Sequence, residues 1–353
     1  MSKQHTDANP NQNKDGKRSW LLIFVLFLTI TLTAGGIWIT SSNSGLRFLL
    51  SIVSRVSGDS ILFEHVNGTL RALSVQKMSY SSDDLRVNIN GIELQWQPQL
   101  LFSRQLSITM LTANAIEIQS SPATESTEEP FTLPESLQLP LSLSLHKLEI
   151  GTLQMLTIGQ ETPDLTVTNI TTQLQSDAHR HLLQQISLEL ELGKLTGSLL
   201  LSTERPFNVN AQVTLDNQQH AATNTEMPVT AVSIDLTGSL EEINGNITAM
   251  SAGAQGKGEF ILHPFAAMPL ATLQLSIAQL NPQAFLADMP KANLSIQADL
   301  NEDTAGKLQG SMIIKNSLPQ PLDQNGLPVM EIRAQPCISP HEIRLDEMVL
   351  KTA

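Results

Sequence analysis

The stretch Leu85–Trp96 reads LRVNINGIELQW, and its apolar residues occupy every second position on either side of an Asn-Gly pair. Three aliphatic residues alternate with polar ones before Asn90-Gly91, and three apolar residues resume the alternation after it. A period of two places alternate side chains on one face of a β-strand. Because Asn-Gly is a favoured two-residue hairpin turn, the stretch predicts two antiparallel strands joined at Asn90-Gly91.

The same alternation recurs in short runs along residues 60–353, and the intervening positions are mainly Thr, Ser, Asn and Gln. Each run therefore has one apolar and one wettable face. We predict an all-β fold, in which a long antiparallel sheet either packs onto itself as a sandwich or curls into a groove. The scarcity of aromatic residues, 4% of the chain, favours a groove with an aliphatic lining. The residues expected to line it are Val87, Ile89, Ile92, Leu94, Trp96, Leu143, Leu145, Ile150, Leu188, Leu190, Leu192, Leu199, Leu201, Val209, Val213, Leu215, Ile234, Leu236, Phe260 and Leu275.

An uncharged apolar segment precedes the strands. Residues 20–40 are long enough to span a membrane, because about 20 helical residues cover the hydrocarbon core. The residues expected to form this anchor are Trp20, Leu21, Leu22, Phe24, Leu26, Leu28, Ile30, Trp38 and Ile39. A cleaved signal peptide is the alternative, with a small-residue site at Ala34–Gly36, but the apolar run continues past that site.

Charges around the segment predict its orientation. Lys14, Lys17 and Arg18 precede it, and no charge follows it before Arg47, so the N-terminus is expected in the cytoplasm. Residues 1–19 are expected to form a polar cytoplasmic tail, and everything after the anchor is expected to be exported. The formal net charge of −13 excludes nucleic acid as a partner, since that affinity depends on clustered Lys and Arg.

One helix is expected between the anchor and the strands. Over residues 44–57 the apolar residues recur at helical spacing and are interrupted by Arg and Ser. Such an amphipathic helix either lies at the membrane surface or plugs one end of the β structure. Two polar stretches, near 120–136 and 217–228, are expected to be loops within a continuous β-groove over residues 60–353.

No catalytic motif is evident in the sequence, so we expect no enzyme activity, no cofactor and no metal. The run Gly253–Gly258 (GAQGKG) lacks the spacing and the Ser or Thr of a phosphate-binding loop. His179 and His181 could share a face of a strand and bind a metal, but no third ligand is evident nearby. This histidine pair is the sequence feature on which an enzyme alternative depends.

The order of the N-terminal features resembles that of a known family. The apolar segment is followed by Ser44–Val56 (SGLRFLLSIVSRV), by Val66–Leu73 (VNGTLRAL) and by Leu106–Leu111 (LSITML). A second patch, Gly306–Glu331, contains Pro-Leu-Asp and Leu-Pro-Val. Together these motifs resemble the N-terminal part of the TamB family, inner-membrane subunits of the translocation and assembly module, within the wider AsmA-like repeating β-groove family.

This resemblance implies a β-taco, a long sheet curled into an open trough, between the inner and outer membranes of a Gram-negative envelope. It implies phospholipid acyl chains as ligands and transport of phospholipids that supports outer-membrane integrity. The alternative it implies is a scaffold for assembling outer-membrane β-barrel proteins and autotransporters with a TamA-like outer-membrane partner. Because family members are several times longer and dock to TamA through a far C-terminal domain, we expect this chain to be a truncated member.

Overall fold

The computed structural model describes residues 42–58, 60–121, 133–218, 228–286, 288–340 and 342–352. Within them, one α-helix, α1 (Asn43–Val56), precedes seventeen strands. The strands are β1 (Ile61–Thr69), β2 (Ala72–Ser81), β3 (Leu85–Trp96), β4 (Gln105–Ser120), β5 (Ser142–Thr157), β6 (Leu165–Ser176), β7 (Arg180–Leu190), β8 (Gly193–Ser202), β9 (Asn208–Asp216), β10 (Thr230–Ser239), β11 (Ile243–Ser251), β12 (Ala254–Leu262), β13 (Leu270–Leu280), β14 (Leu294–Glu302), β15 (Leu308–Asn316), β16 (Val329–Ser339) and β17 (Glu342–Thr352). Short 3-10 helices occupy Pro98–Ser103, Pro282–Ala284 and Leu322–Gln324.

All seventeen strands belong to one sheet, and each strand pairs with the next along the chain. The predicted all-β class is therefore confirmed. At about 4.8 Å per interstrand step, the stack extends roughly 75 Å from β1 to β17.

One pair departs from the antiparallel pattern. Strands β4 and β5 run parallel, with Leu106 beside Leu143 and Ile118 beside Met155. The prediction of a wholly antiparallel sheet is wrong at this pair. In a parallel pair the chain must return from the end of the first strand to the level where that strand began. Residues 121–141 are long enough for this return. The polar loop expected near 120–136 lies in this connection, and its central part, 122–132, is outside the described residues.

The predicted hairpin at Asn90-Gly91 is also wrong. Strand β3 runs without interruption through both residues and pairs with β2 on one side and β4 on the other. Gly91 has φ of 65°, a left-handed conformation that glycine adopts readily. A Cβ atom on Gly91 would lie 2.1 Å from Nδ2 of Asn114 on β4, so the neighbouring strand also requires glycine here.

Several strands carry a residue that bends them. His65, Asn169, Gln185, Gln279 and Glu347 have φ between 48° and 58°, and each lies inside a strand. Register shifts occur beside four of them, between β6 and β7, β7 and β8, β13 and β14, and β16 and β17. A bulge of this kind bends its strand and increases the local twist. Repeated from strand to strand, such bends curl the sheet.

Helix α1 packs against β1 at one end of the sheet, and its presence confirms the helix predicted there. Ser42 caps it, because its Oγ accepts a hydrogen bond from the Gly45 amide at 3.0 Å. Leu46 is 1% exposed and forms a buried cluster with Val66 and Val75. The alternative in which this helix covers one end of the β structure therefore agrees with its packing.

The predicted membrane anchor and the charged residues before it lie outside the described residues. Within the ranges described above, no helix combines the length and apolar character needed to cross a membrane.

Candidate functional site: the apolar face of the sheet

Strand registers decide which side chains share a face, because residues directly opposite each other on paired strands point the same way. One row of such partners crosses thirteen strands from β3 to β15. Its members in order are Trp96, Ile108, Leu145, Leu174, Leu183, Leu199, Ala211, Leu236, Gly245, Phe260, Leu273, Leu300 and Gly310. Every member is apolar or glycine, so this row forms a continuous nonpolar path along most of the sheet.

The structure places nineteen of the twenty sequence-predicted lining residues on this same face. The left-handed Gly91 explains how both halves of β3 contribute to it, since that residue reverses the alternation between Ile89 and Ile92. Ile89 continues the row of Phe63 and Met78, whereas Ile92 continues the row of Val66 and Val75. The break in sequence alternation that suggested a turn thus keeps the apolar side chains together.

The placement of Leu192 is wrong. Leu190 pairs with Gly193, so Glu191 and Leu192 form the two-residue turn between β7 and β8. Leu192 is 62% exposed there and does not belong to the apolar face. The regular spacing of three leucines, Leu188, Leu190 and Leu192, extended the apparent strand beyond the point where the chain turns.

Most of this face remains partly accessible to solvent. Of the nineteen residues, Leu145 and Val209 are buried, and the other seventeen keep an accessible part of the side chain. In a two-sheet sandwich the opposing layer would bury them. In the part of the chain that the structure describes there is one sheet and no second layer, so the face lines an open groove.

Glycines let large side chains lie flat on this surface. A Cβ atom added to Gly245 would fall 2.1 Å from Cζ of Phe260, which means that the aromatic ring covers this glycine. A Cβ on Gly258 would lie 2.9 Å from Cγ2 of Ile247 and 3.4 Å from Cδ1 of Leu275. At both glycines the neighbouring apolar side chains can lie against the sheet and do not project into the groove. The groove wall is therefore smooth and apolar.

Ionic groups lie mainly on the other face and at the turns. Lys77 Nζ is 3.5 Å from a Glu64 carboxylate oxygen, and Lys147 Nζ is 2.8 Å from one of Glu149. The backbone amide of His179, in the turn between β6 and β7, is the main cause of the lowered pKa of Asp177. Electrostatically, the groove wall is a neutral surface that suits hydrocarbon more than a charged ligand.

Of the two histidines, His179 lies in that turn, whereas His181 lies in β7, opposite Ser176 on one side and Leu201 on the other. Nδ1 of His181 lies 2.7 Å from Ser176 Oγ, and Nε2 lies 2.9 Å from the Leu137 carbonyl oxygen. The Nδ1 contact links β7 to β6, and the Nε2 contact ties the segment before β5 to the sheet. The His179 backbone amide donates to Asp177 Oδ1 at 2.8 Å. No group of three metal-binding side chains occurs among the residues with described positions.

The two ends of the groove differ. At the β1 end, α1 and its buried cluster cover the first strands. At the other end, β17 pairs only with β16 among the described strands, and Ile343, Leu345 and Met348 are 75%, 49% and 61% exposed.

Comparison with known proteins gives one family match. Residues 30–161 match the family model described as "TamB, N-terminal domain". The match covers α1 and β1 to β5, and the remaining strands continue the same sheet beyond it. The searches of curated proteins and of solved structures found no match. The resemblance noted in the sequence is confirmed over this segment, which is less than half of the chain.

Proposed function

We propose that this chain is an inner-membrane-anchored periplasmic protein that conducts phospholipids towards the outer membrane. Acyl chains would lie along the apolar face of the sheet while the polar headgroups project through the open side of the groove. The match of residues 30–161 to the TamB N-terminal domain supports the cellular setting. The open apolar face of the sheet supports the mechanism. It assigns no cofactor, metal or catalytic role to any residue.

The observation that carries the proposal is the unbroken apolar row from Trp96 to Gly310 on a face that stays partly accessible. A protein core does not require one apolar row to cross every strand. The side chains of a closed core would also be inaccessible to solvent. Hydrocarbon moving along this row would exchange one aliphatic contact for an equivalent one at each step. Since transfer between equal apolar surfaces has little free-energy difference, no deep binding site interrupts movement.

A second candidate function is supported by β17. Its exposed apolar residues suit contact with unfolded client strands, which would pair through backbone hydrogen bonds. In this scaffold function the clients would be outer-membrane β-barrel proteins, and a TamA-like protein would be the outer-membrane partner. Photo-crosslinkers at Ile343 should then capture unfolded barrel proteins; finding no such adducts would argue against the scaffold.

The conduit is tested directly by photo-crosslinking. A benzophenone amino acid at Val213 should form adducts with phospholipid in cells, detected by mass spectrometry of the purified full-length protein. The matched control is Gln212, the preceding residue of β9, which is exposed on the opposite face. Lipid adducts at Val213 but not at Gln212 support the conduit, whereas equal labelling at both positions, or none at either, refutes it.

A further inference from the structure

A cavity of about 570 Å³ lies beside the contact between α1 and the edge strand β1, and residues of both elements line it. This volume lies within the range of about 300–1,000 Å³ that small-molecule sites occupy. The exposed side chains of Arg47, Arg55 and His65 line its rim, and Leu50 and Val66 line its floor. The cavity is therefore amphipathic, with a basic rim over an apolar floor.

The two arginines are placed differently. Arg47 Nε donates to the Val66 carbonyl oxygen at 3.0 Å and Nη2 to Asn67 Oδ1 at 3.4 Å, contacts that hold the guanidinium group at the rim while leaving other N–H groups for a ligand. The Arg55 guanidinium makes no hydrogen bond or ion pair with any residue whose position is described. Its donors are therefore available to an anion from solution or from a membrane.

The charge of this cavity contrasts with that of the chain. The formal net charge is −13, yet the described residues that line the cavity include two arginines and a histidine and no carboxylate. Glu64, the neighbouring acidic residue on β1, is 3.5 Å from Lys77 in the row of residues on the other face of the sheet. Guanidinium groups bind phosphate oxygens through paired, charge-assisted hydrogen bonds.

The apolar floor leads into the groove. Phe63 and Val66 line the cavity and are also the β1 members of two rows that continue on the apolar face. Phe63 lies opposite Met78, which lies opposite Ile89; Val66 lies opposite Val75 in the same way. A molecule that combines a phosphate with hydrocarbon chains could thus occupy the basic rim and the start of the groove together.

We propose that this cavity binds the phosphate group of an anionic glycerophospholipid and orients it with the acyl chains towards Phe63. The inference rests on the proposed conduit and adds to it a specific loading site that selects by headgroup charge. Free inorganic phosphate offers the same chemistry at the rim but has no group to fill the apolar floor.

The test uses the full chain purified in detergent and three probes with identical fluorescent acyl chains: phosphatidylglycerol, phosphatidylcholine and diacylglycerol. Arg55→Gln should weaken phosphatidylglycerol binding by roughly tenfold, the effect of losing charge-assisted hydrogen bonds. Arg55→Lys should restore much of it, and diacylglycerol, which has no phosphate, should bind equally to every variant. Phosphatidylcholine, whose ammonium group the arginines repel, should bind the unmodified protein more weakly than phosphatidylglycerol does. Because the Arg55 guanidinium makes no hydrogen bond or ion pair with the described residues, the variant should retain its fold, as circular dichroism can verify. Arg86→Gln, at an exposed arginine on the polar face of β3, is the matched control.

Two further arms separate the sources of phosphate and the two proposals. If inorganic phosphate binds in an Arg55-dependent manner and phosphatidylglycerol does not bind, the site recognises a soluble anion and the lipid assignment is wrong. If Arg55→Gln leaves phosphatidylglycerol binding unchanged while Val213 still crosslinks to lipid, the loading site is wrong and the conduit stands. If no lipid is bound or crosslinked at any position, the conduit itself fails.

Discussion

Single residues decide how flat the groove wall is. Gly245 and Phe260 lie directly opposite each other on β11 and β12, and the aromatic ring covers the position where a Cβ would stand. The large Phe260 ring therefore fits only because its partner Gly245 has no side chain. A similar relation holds at Gly258, where two aliphatic side chains lean over the glycine. Such pairs set the depth of the groove without any polar contact.

Gly245→Ala should lower the free energy of unfolding by about 1–3 kcal/mol, because the new methyl group would overlap the Phe260 ring. The loss should be partly recovered in the double variant Gly245→Ala with Phe260→Leu, since the two sites are in contact. Gly256→Ala is the control: its Cβ would meet nothing nearer than 3.6 Å. Denaturant unfolding of the parent protein, Gly245→Ala, Phe260→Leu and the double variant measures the coupling, and additive losses would contradict it.

The outermost described pair of strands carries a pH-sensitive contact. Hydrogen bonding from Arg333, and then from Lys351 of β17 at 3.1 Å, lowers the pKa of Glu331 below its ordinary value of 4.5. A lowered pKa in the folded state adds stability that is present above pH 4.5 and lost as the pH falls through the folded value. Hydrogen exchange should therefore show weaker protection of β17 amides below about pH 4.5. In Glu331→Gln, protection should be lower at neutral pH and lack this pH dependence; an unchanged pH profile would contradict the role of Glu331.

Among the elements, α1 has two apolar surfaces with different neighbours. Leu46 is buried against β1, whereas Ile52 and Val56 are 40% and 82% exposed on the outer side. Arg47 and Arg55 separate these surfaces along one flank of the helix. A helix that covers a groove end with one surface and offers a second apolar surface outward is suited to lie between the sheet and a membrane. Its two sequence-based interpretations, plug and surface helix, are therefore compatible.

Leu46→Ala should release α1 from the sheet. Removing a leucine that is 1% exposed costs about 2–5 kcal/mol, and a terminal helix held by one small cluster opens locally before the sheet unfolds. Hydrogen exchange should rise over Asn43–Val56 and stay unchanged in β6 to β16. Ile52→Ala, on the exposed side of the same helix, should leave exchange in purified protein unaltered. Equal effects of both substitutions would show that the helix is not docked through Leu46.

At the largest scale, the described part of the molecule is a single-layered sheet with one helix at its end, and strands far apart in sequence share its apolar face. Its architecture differs from that of a globular domain, in which apolar faces of two layers cover each other. Here stability comes from each strand's contacts with its two neighbours. A substitution should therefore destabilise mainly its own strand and the two strands beside it. Function in the proposed conduit, by contrast, depends on the face as a whole, because an obstacle anywhere along it would stop hydrocarbon.

Val213→Asp should therefore abolish lipid transport while leaving the protein folded. A carboxylate in the middle of the apolar face must stay hydrated, and an acyl chain cannot pass without displacing that water. Because Val213 is only partly buried, the sheet can tolerate the charge at its open side. Outer-membrane integrity and lipid transfer are the measurements, with Gln212→Asp on the opposite face as control. Normal transport in Val213→Asp would contradict the conduit.

Much of the site could be predicted from alternation alone. Val209, Val213 and Leu215 occupy every second or fourth position of β9, so their common face follows from strand geometry. Leu192 could not be placed in this way, because a two-residue turn can interrupt an alternating pattern without any change in composition. The cavity at α1 also escaped prediction, since its arginines and Phe63 come together only when the helix packs on β1.

The amino-acid sequence was sufficient for the class of the fold, the helix at its start and the membership of residues in one apolar face. These properties depend on the spacing of apolar residues along the sequence, which is two in a strand and about 3.6 in a helix. The folded molecule alone revealed the parallel pair β4 and β5, the left-handed residues that bend the strands and the open side of the groove. None of the bending residues His65, Gln185 or Glu347 is glycine, so their conformation is imposed by hydrogen bonding to neighbouring strands and carries no local signal.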